Sequence, residues 1–107
     1  MAEYFKFYQW ETVTIPITIK PTGILEEYKD IVISFEQKDE TLIAKHLKDL
    51  EVDGDVVTVN LSQEETSVFE VGKVAVQFNI LYEDKERDTS GTAVIQCAKN
   101  QYKRVMT

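Results

Sequence analysis

Apolar and polar residues alternate along most of this chain with a period of two, the spacing of a strand that buries one face. From Thr12 to Ile19 the run TVTIPITI sets Val13, Ile15, Ile17 and Ile19 on one face, opposite Thr12, Thr14, Pro16 and Thr18. Pro16 has no amide proton to give to a ladder, so this strand is expected at a sheet edge or at a bulge. Before it, YFKFYQW reads as a short extended piece, with Phe5 and Phe7 on one side and Tyr4, Lys6 and Tyr8 on the other. DIVISFEQ aligns Ile31, Ile33 and Phe35. KVAVQFNILY carries the longest alternation, through Val74, Val76, Phe78, Ile80 and Tyr82, and is expected as a central strand. Asp53-Gly54 marks a tight turn into VVTVNL. EDKERDTSG reads as a charged hairpin loop leading to TAVIQCA, in which Ala93, Ile95 and Cys97 alternate. The segment TLIAKHLKDL fits helical spacing almost as well as strand spacing, and it is assigned as a strand.

One local signal breaks the β pattern. Ser62 and Glu65 have the S-x-x-E spacing of a capping box, which predicts about a turn and a half of helix over 63–68, with Gly72 turning the chain into the next strand. In a two-sheet sandwich such a turn carries the chain across the end of the core from one sheet to the other. Six or seven short strands separated by turns match an all-β antiparallel sandwich. Its expected core is Val13, Ile15, Ile17, Ile33, Phe35, Val57, Val59, Leu61, Phe69, Val74, Val76, Phe78, Ile80 and Ile95.

The 107 residues suit one domain, 1–107, ending in a solvated and flexible tail over 99–107. The composition is globular, with 43% hydrophobic and 29% charged residues. A net charge of −7 repels phosphate backbones and anionic membranes, so neither nucleic acid nor membrane is expected as a partner. No run approaches the roughly 20 apolar residues of a membrane helix, and the start MAEYFKF does not resemble a signal peptide. Cys97 is the only cysteine, so folding in a reducing cytoplasm fits.

Candidate chemistry is sparse. His46 is the single histidine and has no companion at ligand spacing, so a surface role is expected. Cys97 lies on the buried face of its strand and reads as a core thiol. The carboxylates at Glu64, Glu65, Glu83, Asp84, Glu86 and Asp88 lack the calcium-loop pattern. No catalytic residue, metal ligand or cofactor is assigned. The aromatic N-terminus stands out, because Tyr and Trp are enriched at subunit contacts. The stretch reads either as the first strand of the sandwich, packed on the core, or as an interaction surface built from Tyr4, Tyr8 and Trp10, beside the edge marked by Pro16.

The block Val59 to Phe69, V-x-L-S-Q-E-E-T-x-x-F, followed by G-x-V-x-x-Q at Gly72 to Gln77, resembles small virion proteins of tailed bacteriophages and prophages of Gram-positive bacteria. The order of strands around it extends the resemblance over about two thirds of the chain. The resemblance implies an immunoglobulin-like β-sandwich in a tail or baseplate, without enzymatic activity. Its implied partners are other virion subunits, including further copies of itself. Its implied location is the virion, after synthesis in the host cytoplasm. The alternatives are a module that binds a carbohydrate or host protein, and a small acidic inhibitor encoded by the phage.

Overall fold

The computed structural model describes residues 5–18, 28–54, 56–82, 87–89 and 93–107. They form an all-β fold of two packed sheets. One sheet runs in the order β1 (Lys6–Tyr8), β9 (Ala93–Ala98), β7 (Gly72–Tyr82), β3 (Tyr28–Gln37), β4 (Glu40–His46), and β8 (Arg87–Thr89) also pairs with β7. The second sheet has three strands, β2 (Val13–Thr18), β6 (Val56–Leu61) and β5 (Leu50–Asp53), in that order. The strand with the longest alternation, β7, is central as its pattern predicts, and β2, which carries Pro16, is an edge.

Among the described residues there are nine strands against the expected six or seven, for reasons visible in the backbone. The ambiguous segment 41–50 changes sheets partway: β4 ends at His46, a 3-10 turn spans Leu47–Asp49, and β5 begins at Leu50 in the other sheet. Leu42, Ile43, Leu47 and Leu50 all pack against the core from this path, so no single period describes them. Within the segment expected as a charged loop, Arg87–Thr89 pair with Asn79–Leu81. The remainder of that loop, 83–86 and 90–91, lies outside the described residues. β8 and β9 both lie along β7, in registers that differ by one residue. β1 pairs with β9 in parallel, the one departure from antiparallel order among the described strands.

The hairpin between β3 and β4 turns on Lys38 and Asp39, both with positive φ, at 52° and 61°. Two consecutive positive values are what a type I′ hairpin turn demands, and glycine or asparagine meets that demand at lower cost. Gly54 at 61° and Gly72 at 135° supply two further positive-φ positions, as their sequence contexts predict.

All the expected core residues except Ile17 are buried, and Phe7, Ile31 and Cys97 join them. Ile17 is half-buried against the cluster. The Phe69 ring meets Phe7 edge-on at 5.6 Å between centroids and Phe35 edge-on at 6.2 Å. Lys45 faces the interior beside Ile33, with its side chain 17% exposed, and its ammonium reaches the Glu65 carboxylate. A cation on the inner face is tolerated because its stem packs against apolar surface while its head is paired.

Replacing Phe69 by Ala should cost about 3–5 kcal/mol, because the ring is fully buried and its neighbours cannot collapse onto the space; urea unfolding measures this. Asp39→Gly should raise stability by up to about 1 kcal/mol by relieving a left-handed non-glycine residue. The expected sign is a higher urea midpoint with an unchanged slope.

Candidate interaction surface

The helical turn is where the sequence and the geometry agree most closely. Ser62 Oγ accepts from the Glu65 amide at 3.2 Å, while Glu65 Oε1 accepts from the Ser62 amide at 2.9 Å. The capped turn, α1 (Gln63–Thr66), leads from β6 in one sheet to β7 in the other, which is the crossover that the capping box implied. Thr66 is buried, and its hydroxyl donates to the Glu11 carbonyl at 2.8 Å, tying the crossover to the start of β2.

Three glutamine side chains then fasten neighbouring backbone to this turn. Gln9 Nε2 donates to the Phe69 carbonyl at 2.7 Å. Gln37 Nε2 donates to the Glu70 carbonyl at 2.8 Å while its Oε1 accepts from the Glu70 amide at 2.9 Å. Gln63 does the same for Met106, donating to its carbonyl at 2.8 Å and accepting from its amide at 2.7 Å. Asn100 Nδ2 adds a bond to the Gln9 carbonyl at 3.0 Å. A primary amide offers one donor and one acceptor side by side, so it pairs with a residue's N–H and C=O as a strand edge would. One end of the sandwich thus gathers the end of β1, the β3–β4 hairpin, α1 and the C-terminal residues.

That end is also where apolar side chains stay in solvent. Val68 is 49% exposed, Val71 58%, Tyr102 58% and Met106 70%, with Tyr8 and Val105 exposed beside them. Tyr8 lies on the outer face of β1 with the Lys6 ammonium 5.2 Å from its ring centroid, within cation–π range. Trp10 is half-buried and has φ of 65°, in a turn where the Glu11 amide donates to the Tyr8 carbonyl at 3.3 Å. A positive φ is costly for so bulky a residue, and such outliers concentrate where a side chain must be aimed. Pro16 is exposed on β2, opposite Thr58, on the edge that the sequence assigned to it. Tyr4 lies outside the described residues. The structure brings Tyr8 and Trp10 together at the crossover end and leaves Pro16 on the flank of the other sheet.

On that flank, β1 covers β9 only along Gln96–Ala98. Where it stops short, an open cleft of about 320 Å³ runs between β2 and β9, with Ile15, Ile17, Val76, Phe78 and Ile95 along it and Phe5 and Val94 exposed at its rim. This opening is why Ile17 is the expected core residue that remains half-exposed. On the outer face of the six-stranded sheet Val32, Ser34, Ala44, Gln77 and Asn79 lie side by side. Asn79 Oδ1 accepts from Arg87 at 3.1 and 2.9 Å and from Thr89 at 2.7 Å.

The titratable groups serve the scaffold. His46 is exposed, and its Nδ1 donates to Asp30 Oδ2 at 2.9 Å, since a carboxylate can only accept. That bond chiefly holds the Asp30 carboxyl below its ordinary range, working against desolvation, with help from the Leu47 and Ile31 amides. Burial pushes the Cys97 thiol up to about 11, so it stays protonated and inert. At Glu65 burial alone would raise the pKa, but bonds from Lys45 and Ser62 together bring it below the usual 4.5. Among the described residues, no three His, Cys, Asp or Glu lie together as a metal site, and no helix is long and apolar enough to cross a membrane.

Sequence reasoning missed Val68, Val71, the three glutamines and the C-terminal apolar residues. Val68 and Val71 flank Phe69 off any alternating pattern, which is itself a signal of side chains left without a buried face. Compared with known protein families, curated proteins and solved structures, the chain matches none of them.

A depressed Glu65 pKa means that the unfolded chain binds the proton more readily, so this carboxylate's contribution is present above its ordinary pKa and is lost as pH falls through the folded value. Glu65→Gln should therefore lower the urea midpoint near neutrality and flatten its decline between about pH 5 and 3 relative to the parent chain.

Proposed function

We propose that this chain is a non-enzymatic structural subunit of a phage virion, an immunoglobulin-like module of the tail or baseplate that contacts other virion subunits. The observation that carries the reading is the apolar end of the sandwich, where Tyr8, Val68, Val71, Tyr102, Val105 and Met106 meet solvent around a capped and tightly hydrogen-bonded turn. Apolar side chains left exposed at one end of a fold are a common basis for a protein contact. The immunoglobulin-like part of the reading is supported by the strand order. A sheet ordered β1-β9-β7-β3-β4 faces a sheet ordered β2-β6-β5, with the first strand parallel to the last, and the sheets of variable-type domains have comparable membership. The virion part rests on the likeness of the Val59–Phe69 and Gly72–Gln77 blocks to phage virion proteins. Synthesis in the host cytoplasm followed by incorporation into the particle is the corresponding life history.

The test is capture from phage lysate with a tagged chain, followed by identification of what is retained. Named tail or baseplate subunits should be recovered with the parent chain. Tyr8→Ser combined with Trp10→Ser should reduce that recovery by about tenfold, the equivalent of roughly 1.4 kcal/mol, while a cooperative urea transition, at a lower midpoint because Trp10 is half-buried, shows that the chain still folds. Recovery of a host enzyme or a glycan without any virion subunit would replace this reading with another.

A further inference from the structure

At the end of the sandwich away from the crossover, an open cavity of about 500 Å³ is lined by Lys29 and Asp30 at the start of β3, His46 at the end of β4, and Leu47 and Lys48 of the 3-10 turn. Its carboxylate is already spent. Asp30 Oδ1 accepts from the Ile31 amide at 2.9 Å and the Leu47 amide at 3.3 Å, and Oδ2 accepts from His46 Nδ1 at 2.9 Å. The other carboxylate of the turn, Asp49, accepts from the His46 amide at 3.4 Å. The cations are not matched in the same way. Among the described residues the ion pairs are Lys38–Glu70, Lys45–Glu65 and His46–Asp30, so Lys29 and Lys48 have no acidic partner in a chain where 19 acidic residues stand against 12 basic ones. Because Nδ1 is fixed on Asp30, the half-exposed His46 ring leaves Nε2 without a partner among the described residues. Two ammonium groups and one ring nitrogen thus border one cavity, while both nearby carboxylates are turned to backbone amides and to the ring's other side.

We infer that this cavity binds a tetrahedral oxyanion, the phosphoryl or sulfuryl group of a monoester, through Lys29, Lys48 and the protonated ring of His46. Point donors carried on separate elements suit the free oxygens of a tetrahedral group, whereas a planar carboxylate is matched best by a forked guanidinium, and none lines this cavity. Leu47, half-buried in the same lining, offers apolar surface to the organic part of the ester. A second cavity of about 280 Å³ shares Asp30 and adds Val32, Leu81 and Arg87, so the ligand has room to continue along the outer face of the sheet. With Nδ1 donating to Asp30, Nε2 donates only when the ring carries both protons, so binding tightens as pH falls through the range in which histidine gains its charge. Lysine, arginine and aspartate side chains do not ordinarily change charge in that range. Of the groups around the two cavities, Lys29, Asp30, His46, Lys48, Asp49 and Arg87, the switch is therefore His46.

His46 is the single histidine, so its ring-proton NMR signals report on the site without overlap from another ring. The full-length chain is titrated separately with inorganic sulfate, inorganic phosphate and acetate, each at constant ionic strength. Sulfate and phosphate should shift the His46 signals saturably at about millimolar concentration, the range expected of charges that stand in water, and acetate should bind much more weakly. Sulfate keeps both its charges from pH 8 to pH 6, so its tighter binding at pH 6 reads the ring alone. At pH 8 phosphate is also a dianion, and the tighter of the two anions there identifies the ester. Lys29→Gln combined with Lys48→Gln should weaken binding at least about tenfold with the urea midpoint little changed, because both lysines are exposed. A response that does not saturate, acetate binding as tight as that of sulfate, sulfate binding equal at the two pH values, or a double variant that binds like the parent would each overturn the site. The cavity and the crossover end lie at opposite ends of β3 and β4, so anion binding and capture of virion subunits fail separately.

Discussion

Phe69 leaves the crossover and enters the core edge-on to Phe7 of β1 and Phe35 of β3, so one ring from a connecting segment spans the inner face of the larger sheet. Its position depends on the turn before it, where Ser62 and Glu65 close their reciprocal pair and Thr66 buries its hydroxyl against Glu11. The backbone at Phe69 and Glu70 is held in turn by Gln9 and Gln37, from the end of β1 and the β3–β4 hairpin. Sheet packing, crossover and surface at this end therefore share one constraint. Moving the ring would leave Phe7 of β1 without its edge-on partner, while the ladder to β9 and the Gln9 and Asn100 bonds remain.

The parts of this fold that could be read from sequence are those in which one residue type has one physical use. Alternation in β7 and β3 requires a buried face, and Ser62 with Glu65 can close only a helix start. Pro16 cannot sit inside a sheet. The parts that resisted reading are those in which side chains do two things along a short path. Segment 41–50 buries Ile43 and Lys45 from one sheet and Leu50 from the other, with a 3-10 turn between, so its apolar spacing imitates a helix. The turn at Lys38 and Asp39 carries none of the glycine or asparagine that usually announces it.

For the candidate surface, Tyr8 and Trp10 could be singled out from the sequence because large rings clustered in one stretch need a place to pack. The glutamines were not, because an amide is equally at home in solvent. Gln9, Gln37 and Gln63 acquire meaning only once three stretches of backbone, distant in sequence, have been brought to the same end. The apolar residues beside them had no periodic partner to mark them either, and their exposure emerged from where the strands stop.

The described sheet edges bear on what this fold can pair with. β1 has three residues, β5 has four and carries Glu51 and Asp53, β2 holds Pro16, and β4 turns the Lys45 cation inward to meet Glu65. Short length, acidic side chains, an imino acid and an inward charge are all obstacles to the addition of another strand. Backbone pairing between edges has no natural stopping point and leads toward fibrils, whereas side-chain contacts saturate when their patch is covered. With its described borders closed in this way, the fold offers other proteins its side-chain patches rather than its backbone.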